Sequence, residues 1–343
     1  MNLLLVLFFA SIAAGLAVTP LVRYAAVAFG VIDKPSERKV HLTPTPRMGG
    51  LAIALCFYAA LFVAWKAGIF HYTEKFRGIL YGSIIILITG IIDDVTGIRP
   101  KYKLLIQCLS AFVFLYYGSK ITVFIKNDIV NNIVTFAWVV LITNSFNLLD
   151  NMDGLSGGVA MICSLIFFYV AFKQHQPALM VVSLLLAGSI LGFMRYNYSP
   201  ASIFMGDTGS LFIGFLLAAI STECTYLVES RLTRLPIVTP LMVLSVPIFD
   251  TLSVIIIRLK EKRHIFQADK RHFSHRLADM GMSKRTAVLV VWLVTVTTGR
   301  NATLLTSVNI YEAFTLFLHT MAIYAIIIML MSANGLKNKE GAN

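Results

Sequence analysis

The residues of this sequence that could do chemistry are mostly acids and amides beside long apolar stretches. Asp93 and Asp94 are adjacent and follow an apolar run that ends at Ile92. Two neighbouring carboxylates at the end of an apolar helix are costly unless they are paired or bind a cation. A solvated helix end at the membrane interface is the alternative. We interpret the pair as part of a polar centre and predict that both carboxylates are catalytic.

A second polar group closes another apolar segment. Asn144, Asn147 and Asp150 recur at three-residue spacing, which places them on one face of a helix. Asp153-Gly154 then turns the chain into the next apolar stretch. A solvated helix end would not need amides two turns deep in an apolar segment. This face is therefore predicted to bind a polar ligand, with Asp150 and Asp153 as catalytic candidates.

A third acid, Asp207, lies among glycines and hydroxyl residues at the predicted start of a helix. A helix N-terminus favours anions, and a carboxylate there can hold a cation that bridges to phosphate. The alternative is a simple helix cap. Oxygen ligand sets suit Mg²⁺, with Mn²⁺ as the alternative. We predict a Mg²⁺ site that includes Asp207 and Asp94.

Basic residues are concentrated in two loops that could bind phosphate. The first loop holds Lys39, His41, Thr45 and Arg47 beside prolines that order its turn. This composition suits a phosphate group close to the membrane, and we predict all four residues to be substrate-binding.

The second loop spans residues 258–285 and contains His272, His275 and Arg276. A guanidinium forms paired hydrogen bonds to phosphate, so the loop is predicted to bind a phosphate or a nucleotide. Zinc is disfavoured because no cysteine accompanies the histidines and the surrounding positive charges repel a cation. A plain positive anchor at the membrane is the alternative.

Apolar blocks must position these motifs. Of the 343 residues, 57% are hydrophobic and 13% are charged, against about 25% charged residues in soluble domains. The blocks are roughly 17 to 22 residues long, enough to cross a membrane as helix. We predict an all-α, polytopic integral membrane protein with one domain, 1–343, and about eleven transmembrane helices. The predicted spans are 2–22, 48–65, 78–92, 104–118, 133–149, 155–172, 178–194, 203–220, 237–257, 286–304 and 311–331.

The distribution of positive charge predicts the orientation of these spans. Of the 29 lysines and arginines, 20 fall in one alternate set of loops and the C-terminal tail, and nine in the other set. The richer set is expected on the cytoplasmic side, which places the N-terminus outside and the C-terminus inside. All the polar motifs then face the cytoplasm. Because the net charge of +12 is explained by contact with membrane lipids, nucleic-acid binding is not expected.

The motifs together resemble a known family. The sequence is similar to the polyprenyl-phosphate N-acetylhexosamine-1-phosphate transferases of the WecA/TagO type, which are related to the MraY translocases. The motifs that carry the resemblance occur in the family's order along nearly the whole chain: Arg38–His41 with Pro46–Gly50, Asp93-Asp94, Asn147–Gly154, Gly206–Ser210 and His272–Leu277.

The resemblance implies roles for the acidic and amide residues. Asp93 and Asp94 match the paired aspartates of the family's catalytic centre. Asp207 matches the aspartate that holds Mg²⁺ on the donor diphosphate, and Asn197 matches an asparagine that contacts the donor. The Asn-Leu-x-Asp-x-x-Asp-Gly motif of the family is matched by Asn147, Asp150 and Asp153.

The resemblance also implies that the histidine loop contacts the nucleotide sugar through His272, His275 and Arg276. In the family this loop commonly reads His-x-His-His-Arg-Leu, whereas here Ser274 replaces one histidine. The consecutive histidine triplet of the MraY branch is absent, which argues against a peptidoglycan-pentapeptide substrate.

The implied reaction is Mg²⁺-dependent transfer of N-acetylhexosamine-1-phosphate from a UDP-sugar to undecaprenyl phosphate, with release of UMP. N-acetylglucosamine is the default sugar. The product would be the first lipid-linked intermediate of a cell-envelope glycan, such as the O-antigen of lipopolysaccharide or a teichoic acid. The expected location is the bacterial cytoplasmic (inner) membrane, with the active site facing the cytoplasm. Whether the chain forms a homodimer is left open.

Two other classes of membrane protein fit the sequence less well. A CDP-alcohol phosphotransferase would need Asp-Gly-x-x-Ala-Arg, and the residues after Asp153-Gly154 do not fit. A non-enzymatic transporter or flippase would place ionisable residues near the midplane and often shows inverted repeats, neither of which is seen in the sequence. Whether Asp93 is a general base or organises cations is left open.

Overall fold

The computed structural model describes residues 2–33, 44–121, 127–226, 238–264, 271–305 and 307–340. Two strands, β1 (Ile32–Asp33) and β2 (Thr45–Pro46), pair antiparallel. The remaining regular structure is helical, which confirms the all-α class. The helices in chain order are α1 (Asn2–Ala28), α2 (Gly49–Lys66), α3 (Glu74–Thr96), α4 (Pro100–Tyr116), α5 (Asp128–Leu149), α6 (Leu155–Lys173), α7 (Pro177–Asn197), α8 (Gly206–Glu223), α9 (Thr239–Val243), α10 (Ser245–Lys260), α11 (Phe273–Asp279), α12 (Lys284–Leu304) and α13 (Ile310–Glu340).

The chain divides into two compact units, Met1–Thr225 and Tyr226–Asn343. The first unit contains α1 to α8, and the second contains α9 to α13. The prediction of one domain over residues 1–343 stays a prediction.

Helices α7 and α8 form the buried centre of the first unit. α7 packs against α1, α2 and α6, while α8 packs against α3 and α5. Every residue of α8 from Thr208 to Thr222 is buried, as expected for a helix that is apolar on all sides. The packing brings the first turn of α8 to the ends of α3 and α5, where the acidic motifs lie.

In the second unit, the predicted span 237–257 is not one helix. α9 ends at Val243 and α10 begins at Ser245, with Leu244 between them. Pro247 explains the break, because its ring nitrogen has no hydrogen to donate to the carbonyl of Val243 four residues earlier. α12 packs against α9, α10, α11 and α13.

Eight helices of the described chain are long and apolar enough to cross a membrane: α1, α2, α3, α5, α6, α7, α12 and the Ile310–Ser332 part of α13. Each of the other three predicted spans also has a helical counterpart. α4 and α10 are shorter, with 17 and 16 residues, and α8 carries an acid near each end, Asp207 and Glu223. The chain is thus a polytopic membrane protein, while the count of eleven spans and the orientation of the termini stay predictions.

Candidate active site

The acidic residues of α3 and α8 meet because a glycine lets the two helices touch. A Cβ atom at Gly90 would lie 2.4 Å from Cα of Thr208, closer than any side chain can approach. The two backbones are therefore in direct contact one turn before Asp93. This contact places Asp93 and Asp94 beside Asp207, as the sequence predicted.

Lys103, in the first turn of α4, joins two of these carboxylates. Its Nζ atom lies 2.6 Å from Oδ2 of Asp93 and also donates to Oδ2 of Asp207. The side chains of Asp93, Lys103 and Asp207 are 8%, 17% and 26% exposed. A cationic group thus lies between two carboxylates that are 114 positions apart in the sequence.

Lys103 is not among the site residues predicted from the sequence. A lysine just before a predicted span looks like any other positive anchor at the membrane interface. A usable signal was its position, nine residues after Asp94 and three after Pro100, at the start of the helix that follows the acidic pair.

The second carboxylate oxygen of Asp207 is bound by α5. Nδ2 of Asn147 donates to Oδ1 of Asp207 at 2.7 Å and lies 2.9 Å from Oγ of Ser210. The alternative interpretation of Asp207 as a helix cap is wrong, because Met205 occupies the N-cap position and Asp207 lies inside the first turn. The side chain of Asp207 is held at the centre of the site by groups from α4 and α5.

Asp94 has a different set of partners from Asp93. Oδ1 of Asp94 accepts the backbone N–H of Asp207 at 2.9 Å, and Oδ2 accepts the N–H and hydroxyl of Thr208 at 3.0 and 2.6 Å. The contact requires Gly206, whose φ is +71° and whose added Cβ would lie 2.4 Å from Oδ2 of Asp94. Asp94 therefore supplies the N-terminal cap of α8 from α3. Its predicted role as a metal ligand stays a prediction.

Asp150 follows the last residue of α5 and brings a further carboxyl group to the site. Burial, together with the charges of Asp207, Asp94 and Asp153, raises the pKa of Asp150 to about 8 against the opposing charge of Arg47. A carboxyl group in this position gains from any added cation. The electrostatics therefore favour a positively charged ligand.

Asp153 and Asn197 tie the turn after α5 to the segment between α7 and α8. Oδ2 of Asp153 accepts the N–H of Ala201 at 3.0 Å. Asn197 is buried, with its oxygen accepting the N–H of Gly154 at 3.1 Å and its nitrogen donating to the carbonyl of Ile203 at 3.0 Å. These bonds give Asn197 a scaffold role, and its predicted contact with the donor stays a prediction.

The first basic loop is described only in part. Lys39 and His41 lie outside the described residues. Thr45 is buried in β2, and Nη2 of Arg47 forms a salt bridge of 2.7 Å with Oδ1 of Asp33. The loop is joined to the start of α8, since the N–H groups of residues 49 and 50 donate to the carbonyls of residues 204 and 205, each at 2.9 Å. Arg47 is thus held near the acidic centre of the first unit.

In the second unit, the predicted donor-binding residues surround the start of α11. Nδ1 of His272 lies 2.8 Å from Oδ2 of Asp250. Nη2 of Arg276 donates to Oγ of Ser253 at 2.8 Å. The rings of His272 and His275 lie 6.4 Å apart. The structure therefore brings these three residues together, whereas their contact with a nucleotide sugar stays a prediction.

Carboxylate oxygens, which are the ligands that Mg²⁺ prefers, line the acidic centre of the first unit. Among the residues that the structure describes, no group of three or more His, Cys, Asp or Glu is arranged to hold a metal ion. Mg²⁺ often uses only one or two carboxylates, with water and substrate phosphates completing its shell. Asp93 and Asp207 already hold the ammonium group of Lys103, so the place between them accepts positive charge.

Comparison with known proteins identifies relatives of the chain. Residues 76–225, which include the acidic centre, match the family described as Glycosyl transferase family 4. A probable undecaprenyl-phosphate N-acetylglucosaminyl 1-phosphate transferase of Bacillus subtilis (strain 168) is 37% identical over 317 residues, covering 90% of this chain and 86% of the relative.

More distant relatives fall into two groups. The decaprenyl-phosphate N-acetylglucosaminephosphotransferase of Mycobacterium tuberculosis (strain ATCC 25618 / H37Rv) is 34% identical over 304 residues, covering 79% of this chain and 75% of the relative. The phospho-N-acetylmuramoyl-pentapeptide-transferase of Caldanaerobacter subterraneus subsp. tengcongensis is 33% identical over 293 residues, covering 78% and 86%.

Membrane-length helices with an acidic centre at the helix ends indicate an integral membrane protein with a polar site, and its relatives are named as transferases. The chain belongs to glycosyl transferase family 4, among the bacterial polyprenyl-phosphate N-acetylhexosamine-1-phosphate transferases. The family predicted from the motifs is confirmed.

Proposed function

We propose that the chain transfers N-acetylglucosamine-1-phosphate from UDP-N-acetylglucosamine to undecaprenyl phosphate, with Mg²⁺, at the cytoplasmic face of the bacterial inner membrane. The observation that carries the proposal is the Lys103 ammonium group held between Asp93 and Asp207. The acids of this centre outnumber the ammonium group, so the centre can hold an added divalent cation that balances the charge of two phosphorylated substrates. The relatives' names give the sugar and the class of acceptor.

The reaction exchanges one phosphoanhydride bond for another. An oxygen of the lipid phosphate attacks the phosphorus that carries the sugar, and the bond between this phosphorus and the bridging oxygen breaks. UMP leaves with that oxygen and its electron pair. The bond between the sugar C1 and its phosphate oxygen survives, so the anomeric configuration is retained. The product is a polyprenyl diphosphate sugar, the first lipid-linked intermediate of a cell-envelope glycan.

The residues of the first unit stabilise charge on the phosphate groups and hold one another in position. Two anions must approach each other, and negative charge moves onto the leaving UMP, so preorganised positive groups lower the barrier. Lys103 provides one such group next to the acids. Asn147 holds Asp207 in place through its amide.

Asp93 is suited to organising cations. Its Oδ2 atom binds Lys103, and its Oδ1 atom accepts the N–H of Ile98 at 2.5 Å. A phosphate monoester has a second pKa of about 6 and is mostly a dianion at neutral pH. Since the attacking oxygen already lacks a proton, the reaction does not require a general base.

Mg²⁺ would be held by Asp207 together with Asp93. Both carboxylates bind the ammonium group of Lys103, which Mg²⁺ would displace, whereas the oxygens of Asp94 accept three hydrogen bonds from the N-terminus of α8. The metal role predicted for Asp94 therefore passes to Asp93 in this proposal. When bound, Mg²⁺ supplies Lewis-acid stabilisation of the phosphate oxygens.

The basic loops complete the proposal. Lys39, His41 and Arg47 bind the lipid phosphate close to the membrane, and His272 and Arg276 bind the nucleotide sugar. The charge distribution supports a cytoplasmic site, where a nucleotide sugar is available. The flippase alternative gains no support from the relatives, which are named as transferases.

The proposal is tested with purified protein, radiolabelled UDP-N-acetylglucosamine and undecaprenyl phosphate. We expect one UMP for each labelled lipid formed, and loss of both products when EDTA removes divalent cations. Asp207→Asn should abolish turnover while the protein stays folded. Asp128→Asn is the matched control, because Asp128 lies at the far end of α5 with 78% of its side chain exposed. Turnover that survives EDTA would refute the Mg²⁺ role, and label that never enters lipid would refute the reaction.

A further inference from the structure

Asp250 is a carboxylate of the second unit that the proposed reaction leaves unused. It lies within α10 and is completely buried, with 0% of its surface exposed. Burying a carboxylate is strongly unfavourable unless hydrogen bonds or an opposite charge compensate. The groups that offset the cost of burying Asp250 therefore indicate which part of the structure this carboxylate positions.

Both oxygens of Asp250 bind the start of α11. Oδ1 accepts the backbone N–H of Phe273 at 2.6 Å, and Oδ2 lies 2.8 Å from Nδ1 of His272. His272 is itself 6% exposed. One buried carboxylate thus fixes both the backbone and the side chain at this point of the loop.

The contact decides which nitrogen of His272 is free for a ligand. A carboxylate can only accept a hydrogen bond, so Nδ1 must carry the hydrogen. Nε2 is then the nitrogen left to meet a ligand. Because a phosphate oxygen only accepts, Nε2 can bind it only as Nε2–H, so the ring that binds an anion carries hydrogen on both nitrogens. A carboxylate behind an imidazole is a common way to orient a functional histidine.

The same segment of α10 holds Arg276. Oγ of Ser253 accepts from Nη2 of Arg276 at 2.8 Å and donates to the carbonyl of Asp250 at 3.0 Å. Nε of Arg276 is buried, and it has no hydrogen-bond partner among the described residues. A buried guanidinium N–H without a partner is unfavourable, and a phosphate oxygen is its natural acceptor. Nε of Arg276 is thus an unsatisfied donor four residues after the oriented imidazole in the sequence.

We propose that Asp250 is the positioning residue of this loop, which holds His272 so that its Nε2 binds a phosphate oxygen of the nucleotide sugar. The inference rests on the proposed function for the identity of that ligand. The orientation of the imidazole, in contrast, follows from the contacts of Asp250 alone.

The kinetic test compares Asp250→Asn, His272→Gln and the double variant, with each substrate varied in turn. The asparagine oxygen can still accept from Phe273, so α11 stays in place. Its amide nitrogen faces Nδ1 and forces the hydrogen onto Nε2 of a neutral ring. The donor KM should rise by about tenfold, because a neutral Nε2–H replaces a charge-assisted donor, while the acceptor KM stays unchanged. The double variant should be no worse than His272→Gln, because Asp250 acts through His272.

The matched control is Thr251→Val. Thr251 is adjacent on α10 and buried, its hydroxyl has no hydrogen-bond partner in the described part of the chain, and valine has the same shape. This variant should keep wild-type kinetics. Additive effects in the double variant, or equal rises in both KM values, would overturn the positioning role.

A second measurement stands even if Asp250→Asn does not fold or if the proposed reaction is wrong. Nitrogen-15 NMR of histidine-labelled wild type, compared with His272→Gln, reports the protonation of each ring nitrogen of His272. Hydrogen on Nδ1 supports the proposal, and a neutral ring with hydrogen on Nε2 alone overturns it. Wild-type protein that forms no lipid-linked sugar would refute the proposed function and leave this result untouched.

Discussion

Thr208 donates two hydrogen bonds to Asp94, one from its backbone N–H at 3.0 Å and one from its hydroxyl at 2.6 Å. The second aspartate of the adjacent pair thus caps α8, while Asp93 faces the cation. The two neighbouring carboxylates therefore have different roles, because the N-terminus of α8 contacts Asp94 and not Asp93.

Because Asp94 caps α8, substitutions of Asp94 and of Thr208 are predicted to have effects of different size. Asp94→Asn should reduce turnover by about 100-fold, since a shift of α8 misplaces Asp207. Thr208→Val keeps the backbone bond and should cost about 1 kcal/mol of the free energy of unfolding, with a smaller loss of turnover. Thermal melting and turnover in detergent measure both effects. Wild-type turnover in Asp94→Asn would contradict the cap.

A divalent cation is predicted to replace the ammonium group of Lys103 as the counter-charge that stabilises Asp93 and Asp207. Lys103→Met leaves two poorly exposed carboxylates without a counter-charge, which is strongly destabilising. Turnover should be lost, and the melting temperature in EDTA should fall. Added Mg²⁺ should then raise the melting temperature more than in wild type, because the emptied site binds it more readily.

The control for this experiment is Lys120→Met. Lys120 forms a 2.7 Å pair with Asp128, and the two side chains are 38% and 78% exposed. Exposed pairs contribute about 0–1 kcal/mol, so this variant should melt like wild type. An identical response to Mg²⁺ in wild type, Lys103→Met and Lys120→Met would show that the acidic centre does not bind the ion.

One added methyl group at Gly90 is predicted to disrupt the contact between α3 and α8. Gly90→Ala would place a Cβ atom 2.4 Å from Cα of Thr208, so the helices must separate and the acids with them. We expect lower thermal stability and turnover below about one hundredth of wild type. Ile88→Ala is the control, because Ile88 lies on the same helix with an exposed side chain. Equal effects of the two substitutions would mean that the close approach has no role.

Part of this site was predictable from sequence. The acids at the ends of apolar blocks were found because such residues are rare there. The capping role of Asp94 was not, since it depends on the packing of α3 against α8 and leaves no local pattern. Lys103 was missed because a lysine at a helix end has an ordinary explanation. Pro247 was visible in the sequence, but the predicted span nevertheless ran through Leu244.

The orientation of the spans is a separate prediction. Cysteines introduced at Thr96 and Lys260, in a background without the four native cysteines, should resist an impermeant thiol reagent added to intact cells. Cysteines at Gln174 and Lys120 should react. The expectation follows from the 20 to nine division of lysines and arginines. Labelling at Thr96 from outside would place the acidic centre on the wrong face for a cytoplasmic nucleotide sugar.

In the proposed reaction, a sugar and its phosphate move together onto a lipid phosphate. The most direct measurement uses UDP-N-acetylglucosamine with phosphorus-32 in the phosphate attached to the sugar, incubated with the protein, Mg²⁺ and undecaprenyl phosphate. We expect the label to enter the lipid in a one-to-one ratio with the sugar, and the nucleotide product to be unlabelled UMP. Labelled UDP, formed together with a lipid that carries sugar but no label, would refute this transfer.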